Sequence, residues 1–115
     1  MDVELREIHD FLSSHPPYSL LPAKVLDDLV GRLHLRYFRR GSTIIELGAA
    51  NNSLYILRSG AVDIYRGGKD LVERADPGSS FGTSSARSRQ PSAYQIVAIE
   101  DSLVLVMPGE VFHRL

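Results

Sequence analysis

The chain has 115 residues, of which 43% are hydrophobic, with a formal net charge of −1 and no cysteine. That length supports one core and is short for two ordinary domains, and the missing cysteines exclude disulfides, cysteine-type zinc sites and thiol catalysis. The thirteen basic residues are scattered, with Arg39-Arg40 the only adjacent pair, so no basic footprint for nucleic acid or an anionic membrane emerges.

The first third reads as helical. Leu5, Ile8, Phe11 and Leu12 recur at helical spacing, and His15-Pro16-Pro17 ends that segment because proline pushes the residue before it out of the α region. A second helix follows from Pro22, which fits a first turn where the missing amide hydrogen is harmless; Leu26, Leu29, Val30 and Leu33 then form an apolar stripe. Both stripes read as packing faces rather than as membrane or partner surfaces. No apolar run approaches the roughly 20 residues that span a bilayer, and no signal-peptide pattern opens the chain, so a cytoplasmic location is expected.

From His34 the helical period gives way to short strands. Leu35 to Phe38, Thr43 to Glu46, Ser53 to Arg58, Ala61 to Tyr65, Leu71-Val72, Tyr94 to Ile99 and Leu103 to Met107 are rich in residues that suit a pleated, half-buried surface. Glycines, prolines and acidic residues separate them. Ser59-Gly60 is a tight-turn signal, which predicts a hairpin in which Leu54 and Ile56 meet Val62 and Ile64 on one face. Pro108 to Leu115 reads as the start of a helix, with Val111, Phe112 and Leu115 on one side.

The glycine turn Arg40-Gly41-Ser42-Thr43-Ile44, Gly48 seven positions on, the loop Ala49 to Asn52 and the run from Leu54 through Ser59-Gly60 to Val62 together resemble the cyclic-nucleotide-binding domain. This small β-roll is found in catabolite-activator-type regulators, cyclic-nucleotide-gated channels and kinase regulatory subunits. The resemblance covers roughly residues 11 to 115. It implies a mainly β fold, an antiparallel β-roll or jelly roll with two N-terminal helices and the start of a C-terminal helix. The expected organisation is one domain: a helical segment over residues 1–33, the roll over 34–107 and the beginning of a C-terminal helix over 108–115. In the family, further helices follow this point and lead to an effector domain, so the chain reads as a fragment of a longer protein.

The same resemblance assigns a phosphate-binding loop that opens at Phe81-Gly82 and closes at Ser92-Ala93. Ligand-binding members open Phe-Gly-Glu, the glutamate holding the ribose 2′-hydroxyl, and close Arg-Ser-Ala or Arg-Ala-Ala, the arginine pairing with the cyclic phosphate. Here Thr83 stands at the glutamate position and Pro91 at the arginine position, so both charged contacts are missing. A hydrogen bond to a charged group contributes about 1.5–3 kcal/mol, and loss of the arginine alone corresponds to about ten- to a hundred-fold in affinity. Arg87 and Arg89 lie within the loop, and Gly82, Thr83, Ser84, Ser85 and Ser92 offer backbone and hydroxyl donors that suit an anion. The same composition also describes a solvated connection, and that reading is favoured. Cyclic nucleotide is thus the ligand the resemblance implies and the loop argues against.

Other chemistry has little support. His9, His15, His34 and His113 lack the spacing of a cupin-type metal barrel, so no metal is expected. Glu46, Asp63, Glu73, Asp76 and Glu100-Asp101 fall at strand ends, turns or outward faces, where carboxylates are solvated. Ser84 and Ser85 have no nucleophile elbow around them. No catalytic residue is assigned, and a small cupin-like enzyme is the least favoured reading. The N-terminal wording, Phe11-Leu12, His15 to Pro22 and Arg36-Tyr37-Phe38, is similar to the module that heads bacterial signal-transduction proteins carrying a CBS pair and a nucleotidyltransferase region. That resemblance implies a regulatory sensor controlling such downstream domains. The rival is a nucleotide-independent module in which the roll serves as a protein-interaction surface or as a dimerisation surface, a homodimer being one such partner.

Overall fold

The structure, a computed structural model, describes residues 3–67, 70–83 and 90–114. The chain divides between Leu33 and His34 into two compact units.

The first unit is helical. Helix α1 (Val3–Ser13) buries Ile8 and Leu12, a 3-10 turn (Tyr18–Leu20) buries Tyr18, and α2 (Ala23–Val30) buries Leu26, Leu29 and Val30. The two helices pack on each other, and His9 Nε2 lies 3.1 Å from Asp27 Oδ1 across them. Pro22 caps α2 from outside its first turn. The helix ends at Val30, so Leu33, read as the last member of its stripe, lies beyond it and is half-buried.

Among the described residues the second unit contains eight strands: β1 (His34–Phe38), β2 (Thr43–Ile45), β3 (Ser53–Ser59), β4 (Val62–Arg66), β5 (Asp70–Ala75), β6 (Ser80–Phe81), β7 (Tyr94–Ala98) and β8 (Ser102–Pro108), with helix α3 (Gly109–Phe112) after them. They form two antiparallel four-stranded sheets, ordered β1-β8-β3-β6 and β2-β7-β4-β5. Alternation puts Phe38, Tyr55, Leu57, Phe81, Val104 and Val106 of the first sheet against Ile45, Val62, Ala75, Ile96 and Ala98 of the second, and these residues make one buried cluster. The mainly β roll with flanking helices expected from the sequence is the observed architecture.

The hairpin expected at Ser59-Gly60 does not form. Strand β3 pairs with β8 and β6, while β4 pairs with β5 and β7 in the other sheet. Leu54 and Ile56 therefore occupy the face of the first sheet that points away from Leu57 and Val104, and Val62 and Ile64 face inward from the second. The register of β3 against β8 slips between Leu57 and Ser59, and the chain then runs beside the β7–β8 connection instead of folding back. Gly60 has φ 97°, and a β carbon there would overlap the Ser102 hydroxyl and lie 2.6 Å from the Asp101 carbonyl oxygen. The glycine thus serves a close crossing between sheets. Among the described strands only β4 and β5 are consecutive within one sheet.

A second correction concerns Asp63, expected to be solvated. It is 3% exposed on the outward face of β4, directly opposite Arg74 of β5. Arg74 Nε donates to Asp63 Oδ1 at 2.7 Å, Arg74 Nη2 to Oδ2 at 3.0 Å, and the Tyr65 hydroxyl to Oδ2 at 3.2 Å. These hydrogen bonds satisfy a carboxylate that burial would otherwise disfavour.

Candidate ligand-binding site

A cavity of about 360 Å3 opens where the end of the β4–β5 pair meets β6 and the approach to β7. The strand register builds one wall. Ile64 stands opposite both Ile96 and Glu73, so those three side chains share the inward face of the second sheet and line the cavity together. Val72 is the extra residue where the β4–β5 register slips, and it reaches the cavity rim at 47% exposure. The opposite wall comes from Phe81, whose ring stacks on Tyr55 with centroids 5.4 Å apart and planes 4° from parallel. Tyr55 and Phe81 are register partners and both are buried, which fixes the aromatic floor from the core outward.

Gly82 and Thr83 continue from that floor, and Gln90 to Tyr94 close the third side. Ser92 holds this last segment in place. Its amide donates to the Ala49 carbonyl at 2.9 Å and its carbonyl accepts from the Gly48 amide at 2.8 Å. The Ser92 hydroxyl donates to the Tyr94 carbonyl at 2.8 Å and accepts from the Tyr94 amide at 3.2 Å. Ser92 was expected to offer its hydroxyl to a ligand; it is 5% exposed and already engaged, so its role is to clasp the loop.

Of the residues assigned from sequence, Phe81, Gly82, Thr83, Ser92 and Ala93 come together around this cavity. Ser84, Ser85, Arg87 and Arg89 lie outside the described residues. Pro91, at the position the resemblance gives to arginine, lines the cavity as well. Among the described lining residues the Glu73 carboxylate is the only charged group, and none is a cation. Glu73 was read as merely solvated; it is exposed but stands at the cavity wall, because its register with Ile64 turns it inward.

Two further residues escaped the sequence reading. Asn51 Nδ2 donates to the Ser53 carbonyl at 2.9 Å and to the Gly82 carbonyl at 3.1 Å, and its Oδ1 accepts from the Ser53 amide at 3.2 Å. Asn52, beside it, borders a larger hollow of about 680 Å3 that shares Gln90 and Pro91 with the first cavity and includes Glu110 and His113 at the C-terminal end. The local signal was present, since asparagine bonds its own backbone two residues on. The bond to Gly82 spans 31 positions and has no sequence signature.

Among the described residues no three His, Cys, Asp or Glu side chains gather as metal ligands do, and no helix is long and apolar enough to cross a membrane. His15 Nδ1 contacts the Phe11 carbonyl at 2.6 Å within the helical unit.

The sequence profile of the cyclic nucleotide-binding domain matches residues 35–115. The chain belongs to that family. Within this cyclic-nucleotide-binding family it is similar to the cAMP-dependent protein kinase regulatory subunit of Mucor circinelloides f. lusitanicus, with 29% identity over 77 residues, 67% of this chain and 18% of the relative. The chain thus spans under a fifth of that relative's length. Among solved structures, the regulatory domain of Toxoplasma gondii PKA with cAMP superposes with a TM-score of 0.88 at 18% identity, covering 99% of this chain and 45% of the other. The regulatory subunit of a cAMP-independent protein kinase A from Trypanosoma cruzi, bound to guanosine, gives a TM-score of 0.88 at 24% identity, covering 100% of this chain and 41% of the other. These likenesses establish the fold.

Proposed function

We propose that this domain is a non-catalytic regulatory sensor whose cavity takes an uncharged, nucleoside-sized ligand in place of a cyclic nucleotide. The observation that carries the reading is the charge of the lining: among the described residues, Glu73 contributes a carboxylate and no cation opposes it. The phosphate-binding loop is degenerate in this account. Thr83 offers a hydroxyl where the family's ligand-binding members have glutamate. Pro91 offers neither a cation nor an amide hydrogen where they have arginine. The next amide, that of Ser92, is given to Ala49. A cyclic phosphate, an anion that needs charged or amide donors, does not fit this described lining.

Apolar walls from Ile64, Val72 and Ile96 suit a planar base, and the guanosine bound to the Trypanosoma cruzi protein of the same fold supports a nucleoside as the ligand class. The regulatory role follows the kinase regulatory subunit the chain resembles. In this reading the helical segment over 1–33, the roll over 34–107 and the C-terminal helix beginning at 108 act as one module in the cytoplasm. They control domains linked to it in a longer polypeptide, a CBS pair and a nucleotidyltransferase region being the arrangement its N-terminal wording resembles. Control is a population shift: a ligand moves α3 only if it binds one position of that helix more tightly than another.

The test is calorimetric titration with guanosine, adenosine, cyclic AMP and cyclic GMP. Saturable binding of a nucleoside that exceeds binding of its cyclic phosphate supports the proposal. Preference for the cyclic nucleotide removes it, and absence of all binding leaves the nucleotide-independent interaction module. That rival draws on one observation: edge strand β5 exposes Leu71 at 52% and Val72 at 47%.

A further inference from the structure

We infer that Glu73 reads the base of the bound nucleoside and selects guanine over adenine. The inference rests on the nucleoside reading above and names the residue that decides which nucleoside is taken.

Glu73 lies on the inward face of β5, opposite Ile64, and lines the cavity beside Val72. Its carboxylate makes no ion pair or side-chain hydrogen bond among the described residues. The neighbouring cation, Arg74, points to the other face of the sheet and is held there by two hydrogen bonds to Asp63. Nothing on β5 therefore neutralises the charge that Glu73 brings to the cavity. The apolar side chains of Ile64, Val72 and Ile96 sit at the same end, so a flat base placed against them brings its edge to the carboxylate. Thr83, also in the lining, carries a hydroxyl that can pair with the sugar hydroxyls.

A carboxylate accepts and cannot donate, and its two oxygens match two donors side by side. The Watson–Crick edge of guanine presents that pair, the ring N1 hydrogen and the 2-amino group. Adenine presents one amino donor next to the N1 lone pair, which would face a carboxylate oxygen. Hypoxanthine keeps the ring N1 hydrogen and lacks the 2-amino group. A site built around a buried or rim acceptor discriminates by leaving mismatched polar groups unpaired.

The experiment is calorimetric titration of the wild-type protein and of Glu73→Gln with guanosine, inosine and adenosine, with circular dichroism to verify the fold of the variant. The expected order for the wild type is guanosine, then inosine, then adenosine, with about ten- to a hundred-fold between first and last. Glu73→Gln, a near-isosteric change at an exposed position, should fold normally and lose most of that spread. Equal affinities in the wild type, or an unchanged guanosine preference in Glu73→Gln, overturn the assignment of Glu73 and leave the nucleoside reading intact. No binding of any nucleoside to the folded wild type overturns both.

Discussion

Gly109 begins helix α3 hard against Asn52. A β carbon on Gly109 would overlap the Asn52 carbonyl oxygen and its side chain, so the first turn of α3 can lie there only because residue 109 is glycine. Asn51, the preceding residue, donates to the Gly82 carbonyl at the cavity. The two asparagines thus lie between the cavity's glycine turn and the helix that leaves the roll, and in the proposed mechanism they are the route by which a ligand-induced shift at Gly82 would reach Gly109.

Gly109→Ala should destabilise the domain by about 1–3 kcal/mol, the usual cost of forcing extra volume into a packed site. Gly31→Ala is the control, because its added carbon would meet only the Asp28 carbonyl at 3.7 Å; its effect should stay within about 0.5 kcal/mol. Urea unfolding of the two variants beside the parent checks the difference, and similar midpoints would contradict the close packing of Asn52 on α3.

Gly60→Ala should cost more than Gly109→Ala. It combines overlap with the Ser102 hydroxyl and the Asp101 carbonyl with a φ of 97° that disfavours any side chain, a backbone term of roughly 1–2 kcal/mol. The same unfolding series measures it.

Acid should weaken the fold through Asp63. The Arg74 hydrogen bonds hold its carboxyl below the usual carboxylate value, against the opposing effect of burial. A depressed folded pKa means stabilisation that is present above the unfolded value of about 3.9 and is lost as pH falls through the lower folded value. Asp63→Asn should be less stable than the parent at pH 7 and should lose less on acidification. Parallel stability-versus-pH curves for parent and variant would contradict this.

Restoring the family's charged pair should restore its ligand. Thr83→Glu with Pro91→Arg should raise affinity for cyclic AMP or cyclic GMP by about ten-fold or more, since each supplies a charge-assisted hydrogen bond. Arg87→Ala and Arg89→Ala, by contrast, should leave guanosine binding unchanged. Calorimetry on the three variants reads both effects; loss of guanosine binding in either arginine variant would show that the ligand is held through an anion site.

Most of the strands were legible because alternating β-branched and aromatic residues bounded by glycines carry their own local signal, as in Ser53 to Arg58 and Tyr94 to Ile99. What was not legible is where each strand goes. Ser59-Gly60 looks the same whether the chain folds back or crosses to another sheet, and only the Asp101–Ser102 backbone beside Gly60 decides it. Asp63 and Glu73 illustrate the same limit within one strand pair. Both read as solvated carboxylates, yet the register that sets Asp63 against Arg74 and Glu73 against Ile64 buries the first and brings the second to the cavity. The family pattern points to Phe81, Gly82, Thr83, Ser92 and Ala93, which line one cavity, whereas Asn51 depends on a partner 31 positions away.

The central claim is that occupancy of the cavity is felt at α3. Amide hydrogen exchange with and without saturating guanosine tests it most directly. The account predicts altered protection at Gly82 and Thr83 together with Gly109 to His113, and loss of the distant change in Asn51→Ala while the change at Gly82 and Thr83 persists. Protection that changes at the cavity but not over Gly109 to His113 in the parent protein would contradict it.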